Sequence, residues 1–169
     1  HFIHAARRNP DLTLVVYDNE SYGMTGSQHS PTSPLGERGT SVPYGVFEPP
    51  FDLLSLAQGA GALFVAQGAV TMSQEHQYQL EDLIAQALAY KGFSFVNVRG
   101  SCHTGWGEHN GRADAYDYRK YIEKRTLPVE RWRELPEAEQ SSLIPLGVIV
   151  RKDRVDLQNL NHYERAVMQ

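Results

Sequence analysis

Apolar residues along the chain fall into short dense runs separated by turn-rich stretches. Leu12-Thr13-Leu14-Val15-Val16-Tyr17 is a nearly continuous run of strand formers, the pattern of a strand covered on both faces. Ala62-Leu63-Phe64-Val65-Ala66 and Phe93-Ser94-Phe95-Val96-Asn97-Val98 predict two further strands. Between them lies the clearest helical pattern, over 73–91. Ser73 is a candidate N-cap, and Leu80, Leu83, Ile84, Ala87 and Leu88 share one face. Lys91 falls in the last turn and Gly92 at the position after it. A shorter helix spans Asp52 to Ala60, with Leu53, Leu54, Leu56 and Ala57 apolar, and ends near Gly59 and Gly61. Strand, helix, strand, helix, strand in this order predicts right-handed crossovers, a parallel sheet and a three-layer α/β fold.

The ends of the chain read differently. His1-Phe2-Ile3-His4-Ala5-Ala6-Arg7-Arg8 resembles the last turns of a helix, with Arg7 and Arg8 at its negative end. Asn9 is suited to a left-handed stop and Pro10 ends the helix. A helix entered midway is the expectation for a fragment. Residues 101–141 show no apolar period until Leu143-Ile144-Pro145-Leu146-Gly147-Val148-Ile149-Val150, a candidate late strand. A short amphipathic helix with Leu157, Leu160 and Val167 on its apolar face is expected to follow.

Composition narrows the class without choosing a function. A length of 169 residues fits one domain with a real core, and the formal charge of −4 gives no reason to expect nucleic acid or membrane surface as partner. No apolar run approaches the roughly 20 residues of a membrane span. The single cysteine, Cys102, excludes an internal disulfide framework and fits a reducing cytoplasmic compartment.

The richest chemistry follows the first strand, where open parallel sheets bind ligands. Residues 19–50 form a long loop crowded with Gly, Ser, Thr and Pro. Its small residues let backbone amides approach an anion, and Asn, Ser and Thr offer neutral oxygens to a hard cation such as magnesium on a diphosphate. A solvated loop of turn residues explains the same composition.

The string itself is more specific. Asp18-Asn19-x-x-Tyr22-Gly23-Met24-Thr25-Gly26-x-Gln28, continued by Ser30-Pro31-Thr32-x-Pro34, resembles the β subunits of 2-oxoacid:ferredoxin oxidoreductases. So do His1-x-x-His4-Ala5-x-Arg7-Arg8-Asn9 before it, and Pro43-Tyr44-Gly45 and Glu48-Pro49-Pro50-Phe51-Asp52-Leu53 after it. The resemblance is good over 1–103 and loose from 104, apart from Ile144-Pro145-Leu146-Gly147. It implies an α/β, three-layer thiamine-diphosphate-binding fold with a mostly parallel sheet, truncated at the N-terminus. Residues 1–103 would be the C-terminal part of the cofactor domain, and 104–169 an extension packing on that domain or on a partner subunit. The family's magnesium motif pairs a Gly-Asp-Gly segment, which it places shortly upstream of His1, with an asparagine matched here by Asn19. The resemblance then implies magnesium bound by the Asn19 side chain and the Ser21 backbone carbonyl, with Tyr22, Gly23 and Thr25 beside the diphosphate. Met24 would approach the thiazolium ring or simply pack. Gly23-Met24-Thr25-Gly26 is closer to the 2-oxoglutarate type than to the pyruvate type.

Ser101-Cys102-His103-Thr104 resembles the family's Ser-x-Cys-Pro-Thr, whose cysteine is the fourth ligand of a 4Fe–4S cluster. Judged without the resemblance, a single cysteine at the end of a strand is more often an inert buried thiol than a ligand. Cys102, His103 and His109 are an incomplete zinc set. His1 and His4, one turn apart, suit helix-end packing or the cofactor's phosphate region. His29, His76 and His162 are expected at the surface. The resemblance implies oxidative decarboxylation of a 2-oxoacid to acyl-CoA and carbon dioxide, with an α subunit, coenzyme A and ferredoxin as partners. It offers no acid or base on this chain. The rivals are a non-catalytic α/β partner-binding module and a thiamine-diphosphate decarboxylase without iron–sulfur chemistry.

Overall fold

The computed structural model describes residues 1–152. The helix expected around Leu157, Leu160 and Val167, and His162 with it, lies outside them.

In chain order the elements are α1 (Phe2–Arg8), β1 (Leu12–Asp18), β2 (Ser21–Tyr22), β3 (Gln28–His29), α2 (Leu53–Gly59), β4 (Phe64–Ala69), α3 (Gln74–Ala89) and β5 (Phe93–Arg99). Then come α4 (Ala115–Lys124), β6 (Thr126–Pro128), α5 (Val129–Trp132), α6 (Glu137–Gln140) and β7 (Ile144–Arg151). The main sheet runs β1-β5-β4-β7-β6. It is parallel except where β7 lies antiparallel to β4. Together with the helices on its two faces this is the three-layer α/β arrangement.

Alternation along the buried strands assigns the layers. Val65, Phe93 and Phe95 point to one face and pack with Phe2 and Ala6 of α1 and Leu53, Leu54 and Ala57 of α2. Phe64, Ala66, Val96 and Val98 point to the other and meet Leu83 and Ala87 of α3. Helix α3 sits so close that a Cβ on Gly68 would lie 2.7 Å from Leu80 Cδ1. Further along the first face, Tyr118 and Ile122 of α4 close over Ala69, Ile144 and Leu146. Asn9 takes the left-handed conformation (φ 52°), and its amide donates to Ala5 O. Its side-chain oxygen accepts from Phe93 N at 2.7 Å, so one residue ends α1 and sets the start of β5.

Several expectations need correction. Helix α3 ends at Ala89, with Tyr90 extended, so Lys91 lies past the helix rather than in its last turn. Ser73 precedes the helix without a side-chain capping bond. Leu88 is 68% exposed: only Leu83 and Ala87 are buried on this helix, and Leu88 sits beyond the edge of their narrow face. Strand β1 is at the edge of the described sheet. Leu14 and Val16 pack on the core, while Val15 and Tyr17 stay open, so it is not covered on both faces. The second strand runs over 64–69, because the turn after α2 uses Gly61 to Leu63 and the polar Gln67 is satisfied inside the sheet by Pro145 O at 2.9 Å. The long loop contains the β2–β3 hairpin. Residues 101–141 hold three α-helices, a π-helical turn at His103–Gly107 and β6, which no apolar period announces, since α4 buries only Tyr118 and Ile122.

Candidate cofactor-binding site

The site begins where β1 and β5 end side by side. Their register pairs Asp18 with Arg99. Arg99 Nη1 donates to Asp18 Oδ2 at 2.5 Å, and its Nη2 donates to Glu20 Oε1. Asp18 Oδ1 accepts from Thr32 Oγ1 at 2.7 Å and from Glu20 N at 3.2 Å. Ser33 Oγ donates to Glu20 O at 2.5 Å, and Tyr118 OH approaches Glu20 Oε2 at 3.5 Å. Glu20 is therefore held at its amide, carbonyl and carboxylate. It needs that hold, because its φ of 66° is left-handed, a conformation that costs a residue with a side chain about 1–3 kcal/mol. Burial pushes the Glu20 carboxyl above its usual range, against the opposing pull of Arg99. Burial depresses the Arg99 pKa, but Glu20 and Asp18 more than offset this and hold the guanidinium charged.

Asn19 and Ser21 flank this anchor. Asn19 is half-buried, and its Oδ1 accepts from Ser21 N at 3.4 Å, an Asx-type turn at the strand end. Ser21 Oγ is buried and has no hydrogen-bond partner among the described residues. Beyond it the chain turns tightly: Tyr22 O accepts from Ser27 N at 3.0 Å and Gly23 O from Gly26 N at 3.2 Å. Thr25 and Gln28 brace the tip, Thr25 Oγ1 donating to Gln28 Oε1 at 2.6 Å and Gln28 Nε2 to Thr25 O at 2.8 Å. Met24 is 99% exposed at the apex and packs on nothing among the described residues.

Cys102 reaches the same place from the end of β5. It is buried with Val42, Val46 and Trp106, and its thiol donates to Thr104 O at 3.3 Å. A Cβ on Gly23 would stand 2.7 Å from Cys102 Sγ and 3.7 Å from Asn19 Nδ2. Cys102, far from Asn19 and Gly23 in sequence, is thus their neighbour in space. Trp106 Nε1 donates to Glu37 Oε2 at 2.8 Å, and Arg112 Nη2 to Glu37 Oε1 at 2.5 Å, which ties the loop to the segment after Cys102.

The residues fit a magnesium-bound diphosphate. Two neutral oxygens, those of the Asn19 side chain and the Ser21 backbone, flank a fixed residue, and the buried Ser21 hydroxyl has no partner among the described residues. Asp18 and Glu20 are committed to Arg99 and are not candidate ligands. For an iron–sulfur cluster the chain offers one thiol, and no group of three His, Cys, Asp or Glu side chains able to hold a metal exists among the described residues. His1, just before α1, and His4 on it are exposed, as are His103 and His109, His109 Nδ1 lying 2.6 Å from Gly105 O. His29 and His76 are half-buried at the surface, on Ser41 Oγ (2.8 Å) and Thr71 Oγ1 (2.9 Å).

Sequence reasoning missed Glu20 and Arg99. The available signal was the polar pair Asn97 and Arg99, two apart in an otherwise apolar strand and therefore on one face. Both line a cleft of about 740 Å3 beside Asp18 and Glu20.

The model of the thiamine pyrophosphate enzyme C-terminal TPP-binding domain matches residues 1–98, and the chain belongs to that family. Within it the relatives are β subunits of 2-oxoacid oxidoreductases. The chain is 37% identical over 147 residues to the 2-oxoglutarate synthase subunit KorB of Methanocaldococcus jannaschii, covering 87% of this chain and 53% of that one. It is 46% identical over 104 residues to the KorB subunit of Archaeoglobus fulgidus, covering 62% and 38%. It resembles the structure of the 2-oxoglutarate:ferredoxin oxidoreductase from Magnetococcus marinus, solved with 2-oxoglutarate, coenzyme A and succinyl-CoA bound. That match has a TM-score of 0.74 and 26% identity, over 99% of this chain and 56% of that chain. The chain spans about half the length of the curated relatives it matches most fully. Among the described residues no helix is long and apolar enough to cross a membrane.

Proposed function

We propose that the chain is the diphosphate-holding part of the β subunit of a cytoplasmic 2-oxoacid:ferredoxin oxidoreductase of the 2-oxoglutarate type. The observation that carries this reading is the meeting of Asn19, Gly23 and Cys102 at the ends of β1 and β5. In it Asn19 Oδ1 and the Ser21 carbonyl bind magnesium, and Tyr22, Gly23 and Thr25 line the diphosphate. Exposed Met24 faces the thiazolium ring, and Cys102 gives one thiolate to a 4Fe–4S cluster. Thiamine diphosphate, when bound, supplies the carbanion chemistry of oxidative decarboxylation. This chain's residues bind and orient it and supply no acid or base. Acyl transfer to coenzyme A and electron transfer to ferredoxin need the α subunit and further thiolates. Residues 1–103 are the cofactor unit and 104–169 an extension that packs on it, a packing supported by β7 adding to the sheet beside β4.

The test uses the full-length β subunit assembled with its partner. Reduction of ferredoxin dependent on 2-oxoglutarate and coenzyme A, with bound magnesium, iron and sulfide, is the expected result. Decarboxylation without iron would favour the simple decarboxylase, and no cofactor binding would favour the partner-binding module.

A further inference from the structure

We propose that Glu20 and Arg99 are positioning residues that preorganise the magnesium ligands. The inference rests on the reading of Asn19 and Ser21 as those ligands.

Glu20 lies between the two, so its backbone conformation sets the angle between the Asn19 side chain and the Ser21 carbonyl. That conformation is left-handed at 66°, one that a residue with a Cβ does not keep without restraint. Three restraints act on it directly, and a fourth steadies one of them. Arg99 Nη2 holds the carboxylate, and Ser33 Oγ holds the carbonyl at 2.5 Å. Asp18 Oδ1 holds the amide at 3.2 Å, and Arg99 Nη1 in turn holds Asp18 at 2.5 Å. One guanidinium therefore bridges the residues on both sides of Asn19. Its planar fork is suited to two carboxylates at once, which a lysine ammonium cannot reproduce. Glu20 is 7% exposed and its carboxylate is paired inside the protein, so it orients the neighbouring ligands rather than joining them.

Magnesium makes the arrangement consequential. It demands near-octahedral geometry, whereas calcium tolerates irregular coordination. Loosening the Asn19–Ser21 angle should therefore weaken magnesium selectively, while a general loss of structure would weaken both ions together.

The experiment measures thiamine diphosphate binding to the full-length β subunit with its partner, titrated with Mg2+ and separately with Ca2+. Glu20→Ala should raise the Mg2+ concentration at half-maximal binding by about 10-fold or more, the scale for lost orienting partners of metal ligands. The change with Ca2+ should be much smaller. Glu20→Gln, which still accepts from Arg99, should recover most of the loss. Unchanged Mg2+ dependence in Glu20→Ala overturns the inference, as do equal losses with the two ions or a Glu20→Gln no better than alanine. If Glu20→Ala does not assemble, Arg99→Lys decides, with the same Mg2+-selective weakening expected and the same contrary results. Asn19→Ala separates the two claims. If it leaves metal dependence unchanged, the ligand reading fails. If it weakens Mg2+ binding and Glu20→Ala does not, only the positioning role fails.

Discussion

A methyl group on Gly23 would stand 2.7 Å from the sulfur of Cys102, closer than packed atoms allow. The hairpin carrying Gly23 and the strand end carrying Cys102 are thus fitted to each other through the absence of a side chain.

Gly23→Ala should force these segments apart. Overpacking of this kind costs about 1–3 kcal/mol. In the full-length protein the melting midpoint should fall. Equal stability of Gly23→Ala and the parent would show that the two segments are not packed as described.

The α3 helix separates buried from exposed leucines. Leu83 is 3% exposed and Leu88 68%. Leu83→Ala should cost about 2–5 kcal/mol through lost burial and the cavity left behind. Leu88→Ala should stay within about 0.5 kcal/mol, as for an ordinary surface change. Denaturant unfolding of the two variants checks the contrast, and similar losses would mean the helix faces the sheet differently.

Glu37 accepts from both the Trp106 indole and Arg112. Removing it strands two donors, one on a fully buried tryptophan, and each unsatisfied donor costs about 1–3 kcal/mol. Glu37→Ala should lower stability by an amount in that range and alter tryptophan emission. An unchanged spectrum and midpoint would contradict the link between loop and turn.

What the sequence made legible follows from the size of each signal. Dense apolar runs such as Phe93–Val98 mark strands because burial on both faces leaves few polar positions, and the loop's string carried the site because its glycines and hydroxyls are unusual together. Helix α4 was invisible because Tyr118 and Ile122, its buried pair, sit among charges. Leu88 was misplaced because helical spacing shows that residues share a face without showing how wide the buried face is. Glu20 and Arg99 went unread because their meaning is a pairing across strands 79 residues apart, and no local pattern records strand register.

Cys102 has two readings with opposite consequences. As a cluster ligand, its replacement by alanine leaves iron one thiolate short, so iron and sulfide content and ferredoxin reduction should collapse. Decarboxylation would persist at a reduced rate. Iron and sulfide analysis of the assembled Cys102→Ala protein, with its visible absorption, is the check. Wild-type iron content would reduce Cys102 to a buried thiol packed on Gly23.

The most direct measurement is thiamine diphosphate binding by the assembled full-length protein carrying Asn19→Ala, at limiting magnesium. Removal of the Asn19 oxygen should weaken cofactor binding, and added magnesium should partly restore it. The fold, carried by the β1–β5–β4 core away from this side chain, should be unchanged by circular dichroism. Wild-type affinity at limiting magnesium in a folded Asn19→Ala protein would contradict the assignment of this loop as the magnesium–diphosphate site.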